Sequence, residues 1–146
     1  MSAPTSVDSA SGDSSRADVE LRLPADGAYA SVLRTTTAAL AARLDFTIDD
    51  IEDLRMAVAE AIAMVLEVAD EGSELVAGFG LRPGEMTVSV SVGAQAPGEP
   101  DYDSFAWQVL TTLSTDAKVE AIGGRFTVTM TMTSTATGPA TPGADA

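Results

Sequence analysis

The chain has 146 residues, enough for one domain with a substantial core, and it carries a formal net charge of −14 with a pI of about 4.1. This charge argues against nucleic acid as a partner, because phosphate binding needs basic clusters, whereas an acidic surface can steer a basic protein. The absence of cysteine and histidine excludes disulfides, a cysteine zinc site and a Ser-His-Asp triad. No signal segment or stretch of membrane length is present, so we expect a cytoplasmic protein without a membrane partner.

The chain begins with a tail, a strand and a helix. Residues 1–17 are small and polar, which predicts a disordered tail. Apolar and polar residues alternate over residues 19–23, which predicts a half-buried strand that ends at Pro24. Residues 28–44 are rich in Ala and Leu with apolar residues at helical spacing, which predicts a helix, and residues 45–46 form a turn.

The stretch 47–70 predicts the central helix of the domain. Thr47 can cap its start, with Asp49 and Asp50 in the first turn where the helix dipole favours them. We expect the acidic run around them to be solvated. Glu71 and Gly72 should close this helix, with Gly72 as a left-handed stop.

One apolar stripe recurs every three or four residues along this helix: Ile48, Ile51, Leu54, Val58, Ile62, Val65 and Ala69. From Met56 to Leu66 the other faces are apolar too, except at Glu60. This pattern predicts a buried helix that is covered on more than one side and holds a single carboxylate in its middle.

The second half of the chain changes to a period of two. It predicts a hairpin of 75–81 and 86–92, a loop at 93–102, a helix at 104–113, strands at 118–122 and 126–133, and a disordered tail at 135–146. The order of elements predicts an α+β two-layer sandwich over residues 18–134. Its sheet should be mixed but mostly antiparallel, with about three helices on one face.

From Val19 to Thr133 the chain resembles the anti-sigma regulatory factor and serine-protein kinase family of the RsbW and UsfX type, which has the GHKL or Bergerat ATPase fold. The segment LRTTTAALAARLDFTIDDIEDLRMAVAEAIAMVL matches the first two helices of that family. Glu60, in AVAEAIAMV, stands where the family has its motif glutamate. The run FAWQVLTTLSTDAKVE resembles the late helix and the strand that follows it.

Three departures from the family pattern concern ATP. The family has a Mg²⁺-binding asparagine where this chain has Met64, and Mg²⁺ prefers hard oxygen ligands. The acid of the Asp-x-Gly-x-Gly box is missing from residues 93–98, and the second glycine box reads Ser-Phe-Ala-Trp at residues 104–107. The bulk of Phe105 and Trp107 predicts a filled pocket. We therefore expect no cofactor, with ATP and Mg²⁺ retained only if the chain is an active kinase.

The resemblance implies an anti-sigma factor of the stress-response type that works by binding. It would sequester a sigma factor of RNA polymerase and be countered by an anti-anti-sigma protein of the STAS type, as a homodimer. Two alternatives stay open: an active ATP-dependent serine/threonine kinase that phosphorylates the antagonist, and a pseudokinase adaptor for another regulator. Glu60 is the catalytic base only in the kinase; otherwise it is a relic or a solvated carboxylate.

Arg34 is the candidate partner-binding residue. By register with the first helix of the family, it matches an arginine that contacts the sigma factor and its antagonist. It is also the only charged residue between Ala28 and Ala42. The alternative is an ordinary solvated arginine.

Overall fold

A computed structural model describes residues 16–136. The disorder predicted for residues 1–17 and 135–146 therefore falls largely outside the described residues. The helices are α1 (Ala30–Arg43), α2 (Ile48–Val68) and α3 (Phe105–Leu113), and a short 3-10 turn (Gly27–Tyr29) precedes α1. The strands are β1 (Val19–Pro24), β2 (Glu74–Arg82), β3 (Glu85–Gly93), β4 (Asp116–Ile122) and β5 (Arg125–Thr133).

The five strands form one sheet in the order β1-β2-β3-β5-β4. Every pairing among residues 16–136 is antiparallel, so the parallel component allowed for by the sequence is absent from this part of the chain. Val88 of β3 lies opposite Phe79 of β2 and opposite Met130 of β5. This register places the alternating apolar side chains of three adjacent strands on one face of the sheet.

The core lies between that face and the three helices. Its largest fully buried side chains are Phe79, Leu33, Leu54, Met86, Leu110, Met130, Val58, Val65, Val88, Val90, Val92 and Val128. Helix α2 packs against both other helices and against β3 and β5. The predicted α+β two-layer sandwich, with helices on one face, is confirmed. Within residues 16–136, no helix is both long and apolar enough to cross a bilayer.

Helix α2 is less enclosed than its composition predicts. Ile48 is 77% exposed and Met56 is 54% exposed, although Leu54, Val58 and Val65 are fully buried. The prediction that this helix is covered on more than one side is confirmed, but Ile48, which the pattern placed in the buried stripe, is exposed. Helices α1 and α3 cover the flanks of α2 and the sheet covers its base, which leaves one stripe of the helix open to solvent.

The start of α2 is hydrogen-bonded to the segment that follows β5. Thr47 and Asp50 form a reciprocal capping box, in which the Thr47 hydroxyl accepts from the Asp50 amide at 3.0 Å and the Asp50 carboxylate accepts from the Thr47 amide at 3.2 Å. The same carboxylate accepts from the Thr135 amide and hydroxyl, both at 3.0 Å, and from the Ser134 hydroxyl at 3.4 Å. Thr135, which the sequence placed in the tail, therefore contacts the domain.

Asp50 is a buried member of an acidic run that we expected to be solvated. It is 5% exposed, so that expectation fails at this position. Burial raises the pKa of the Asp50 carboxyl, but the hydrogen bonds from Thr135 and Thr47 together outweigh it and leave the pKa below its usual value. Asp50 is therefore a charged group that the fold stabilises in its ionised form.

The end of α2 also differs from the prediction. The helix ends at Val68, because Ala69 is extended and the Asp70 amide donates to the Gly93 carbonyl at 2.8 Å. Gly72 does have the expected left-handed backbone, with φ of 77°, but it lies in the turn before β2 and does not cap the helix. The hydrogen bond from Asp70 to the end of β3 therefore ends the helix four residues before Gly72.

Candidate functional site

A cleft of about 380 Å³ lies between α2 and the segment 97–106 that leads into α3. Glu60, Ala63, Met64 and Glu67 form its α2 wall. Residues three, four and seven positions apart share one face of a helix, so the local geometry of α2 places these four side chains together. The two positions that the resemblance singled out, Glu60 and Met64, therefore meet in one cavity.

The opposite wall is held at both of its ends. At one end, the Asp70 carboxylate accepts from the Gln95 amide at 3.0 Å. At the other, the Ser104 hydroxyl accepts from the Trp107 amide at 3.1 Å and caps α3. Pro97 lines the cleft between these two anchors. The wall is thus fixed to the domain rather than supported by α3 alone.

The aromatic residues of α3 do not fill the cleft as the sequence predicted. Phe105 lines it but is 74% exposed, whereas Trp107 is half-buried and packs edge-to-face on Tyr102 with ring centroids 5.1 Å apart. Phe105 precedes the fully buried Leu110 by five residues, which turns the two side chains about 140° apart on a helix. The prediction of a filled pocket is wrong at Phe105.

Four carboxylates face this cleft: Glu60 and Glu67 from α2, and Glu99 and Asp101 from the opposite wall. No lysine or arginine lines it within the described part of the chain. Of these four, the Asp101 carboxylate accepts a hydrogen bond from the Asp103 amide at 2.9 Å. An anion that entered the cleft would meet like charge, and a cation would meet opposite charge.

A second concavity, of about 740 Å³, lies on the face of the sheet that the helices leave uncovered. Its floor is built of small residues of the central strands, including Gly78, Ser89 and Thr129. Its charges are balanced, with cations from Arg16, Arg82 and Lys118 and carboxylates from Asp18, Glu85 and Glu120. Unlike the cleft beside Glu60, this concavity has no excess of one sign of charge.

Arg34 lies outside both concavities. It belongs to α1, where it is half-buried and not fully exposed. Within residues 16–136 its guanidinium forms no salt bridge and no side-chain hydrogen bond. The structure thus leaves the charge of Arg34 available to a partner, and it does not bring Arg34 into the cleft with Glu60.

Sequence reasoning missed three of the four carboxylates of the cleft. Glu67 could have been found, because it follows Glu60 by two turns on the same helical face. Glu99 and Asp101 stand in a loop, where spacing alone does not predict which side chains face α2.

The chain is 38% identical over 88 residues to the serine-protein kinase RsbW of Halalkalibacterium halodurans, covering 60% of this chain and 52% of that protein. It is 32% identical over 75 residues to the serine-protein kinase RsbW of Bacillus thuringiensis, covering 50% and 47%. The resemblance to the RsbW type is confirmed. The chain spans about half the length of the RsbW proteins it matches, and no family model matches it.

A solved structure supports the same fold. The crystal structure of the RsbU and RsbW domains of Rv1364c from Mycobacterium tuberculosis superposes with a TM-score of 0.63 at 20% identity, covering 80% of this chain and 31% of that one. The likeness shows the fold, which is the GHKL-like sandwich predicted from the sequence.

Proposed function

We propose that this chain is an anti-sigma factor that sequesters an alternative sigma factor by binding, with little or no kinase activity, and that an anti-anti-sigma protein of the STAS type competes for it. Its similarity to RsbW proteins supports this functional class. Both partners are part of the proposal, as is a homodimeric state. Arg34 is the residue that we propose contacts the sigma factor, because it matches by register an arginine of the family's first helix and forms no salt bridge within residues 16–136.

The charge of the cleft carries the proposal that catalysis is weak or absent. The triphosphate of ATP would meet like charge there. Water and salt reduce each repulsion, because Glu67, Glu99 and Asp101 are exposed, so the effect comes from the four carboxylates acting together. Four carboxylates face the cleft, and the thioether of Met64 is a poor ligand for Mg²⁺. These residues do not fit Mg·ATP.

Two observations favour the alternative of an active kinase. Glu60 lies in the cleft, and the relatives are named serine-protein kinases. In such an enzyme Glu60 would accept the proton of the serine hydroxyl of the antagonist. A third possibility, a pseudokinase adaptor, shares the binding mode of the first and differs only in the partner.

The test is to purify the full chain from its native cells after cross-linking and to identify its partner by mass spectrometry. The chain is then added, in the absence of ATP, to RNA polymerase that carries this partner, and binding of the polymerase to promoter DNA is measured. Stoichiometric inhibition of a sigma factor supports the proposal, and recovery of a different regulator supports the adaptor. Transfer of γ-phosphate from labelled ATP to a serine of the antagonist would establish the kinase instead. Sedimentation of the chain alone should give twice its 14.9 kDa.

A further inference from the structure

We infer that the cleft beside Glu60 binds a segment of a protein partner that presents lysine or arginine side chains next to an apolar one. The cleft would thus be a docking site for a basic amphipathic segment. The inference does not depend on the identity of the partner, which can be a sigma factor or another regulator. It rests on the apolar surface, on the charge and on the fixed walls of the cleft.

The apolar part of the surface centres on Phe105. Its side chain is 74% exposed at the rim of the cleft, where Ala63 is also exposed and Met64 is half-buried. Met56, which is 54% exposed, continues the open stripe of α2 toward its start. Phenylalanine and methionine are enriched in protein interfaces. An apolar side chain of a partner would cover Phe105 and Ala63 together.

The charge selects the partner. Glu60 and Glu67 rise from α2 on one side of this apolar surface, and Glu99 and Asp101 lie on the other. Among the described residues no three acidic side chains come close enough to hold a metal ion. Carboxylates that are spread along a cleft suit several cations on one segment better than a single ion, and complementary charge steers the encounter.

The dimensions suit a short helical segment. From Met56 to Glu67 the open stripe of α2 rises about 16 Å, which corresponds to about three turns of a partner helix. Hydrogen bonds to Asp70 and Ser104 hold the two ends of the far wall, which lowers the cost of ordering this wall on binding. A polyanion such as nucleic acid would be repelled, and the groove on the open sheet face offers no comparable excess of charge.

The probe is a 14-residue amphipathic peptide of lysine and leucine at helical spacing, titrated into the full ¹⁵N-labelled chain at 150 mM salt. We expect the changes in amide chemical shift to lie mainly at residues 60–68 and 97–106. Calorimetry then gives the affinity of the chain for the peptide. Changes centred on the open sheet face, or distributed over all acidic regions, would overturn the inference.

Matched variants separate docking from general attraction to an acidic protein. The double variant Glu60→Gln, Glu67→Gln should bind the peptide at least fivefold more weakly than the unmodified chain. Glu71→Gln with Glu120→Gln removes the same charge from exposed positions outside the cleft and should change the affinity less than twofold. Equal losses in the two double variants would show that only net charge matters and would refute the site.

The apolar contribution has its own pair of variants. Phe105→Ala should weaken the peptide at least fivefold, whereas Ile122→Ala, which removes another side chain that is 70% exposed, should leave the affinity unchanged. Because Phe105 is exposed, its replacement should not unfold the protein, and an unchanged spectrum elsewhere verifies this. Mg·ATP titrated into a separate sample tests the proposed lack of nucleotide binding independently of the peptide.

Discussion

Replacing Asp50 with alanine tests how strongly one buried carboxylate holds the start of α2 to residues 134–135. The change removes the acceptor for the amide of Thr47 and for the amide and hydroxyl of Thr135. A hydrogen bond to a charged group contributes about 1.5–3 kcal/mol, but the exposed Thr135 regains part of this from water. We therefore expect the free energy of unfolding to fall by about 3 kcal/mol, which corresponds to a decrease in Tm of about 10 °C.

The assay is thermal and urea unfolding of the full chain at pH 7, beside two other variants. Asp49→Ala alters an exposed carboxylate in the same helical turn and should cost about 1 kcal/mol or less, through the helix dipole alone. Asp50→Asn keeps one acceptor oxygen, so its loss of unfolding free energy should lie between those of Asp50→Ala and Asp49→Ala. If Asp50→Ala and Asp49→Ala unfold at the same temperature, the proposed role of the buried carboxylate is wrong.

The pH dependence of the Asp50 contribution follows from its lowered pKa. Because the carboxyl ionises more readily in the folded state than in the unfolded chain, where its pKa is about 3.9, folding favours the charged form. The stabilisation is therefore fully present above about pH 5 and is lost as the pH falls through the lower, folded-state pKa. The difference in unfolding free energy between the unmodified protein and Asp50→Ala should be constant from pH 7 to pH 5 and should narrow in more acidic solution. If this difference in unfolding free energy instead grew as the pH fell, the inferred lowering of the Asp50 pKa would be wrong.

Three further predictions concern the partner surface, the nucleotide and the segment that follows β5. Arg34→Glu should weaken binding of the sigma factor, measured by calorimetry, by about 2 kcal/mol or more, which is about 30-fold, and should lower the free energy of unfolding by about 1 kcal/mol or less. The control is Arg43→Glu, which changes an exposed residue of the same helix and should leave the affinity for the sigma factor unchanged. Millimolar Mg·ATP should not raise the Tm of the unmodified protein, and Met64→Asn alone should not create binding because the carboxylates of the cleft stay in place; a rise of several degrees in the unmodified protein would argue for the kinase. A chain that ends at residue 136 should keep the Tm of the full chain, whereas one that ends at residue 134 should lose several degrees with the Thr135 contacts; equal melting of the two would make residue 135 dispensable, as the sequence predicted.

The elements of this fold could be predicted from the sequence because their signals are local. Alternation over residues 75–81, 86–92 and 126–133 predicted three strands with one buried face, and hydrogen-bond register then placed those faces together. Thr47 predicted the start of α2, since its hydroxyl caps an amide only three residues away. The motif resemblance predicted that Glu60 and Met64 belong together, because four residues make one helical turn.

The sequence alone determined the elements, the layer architecture and the likeness to RsbW proteins, since all three depend on periods and motifs within short stretches. Only the tertiary structure decided what the site offers to a ligand. Asp50 is buried by residues up to 85 positions away, and Val68 ends α2 because Asp70 bonds to the end of β3. Phe105 is exposed and Glu99 and Asp101 face α2 because the 95–104 segment is held at both ends, so the charge of the cleft is a property of packing between distant segments.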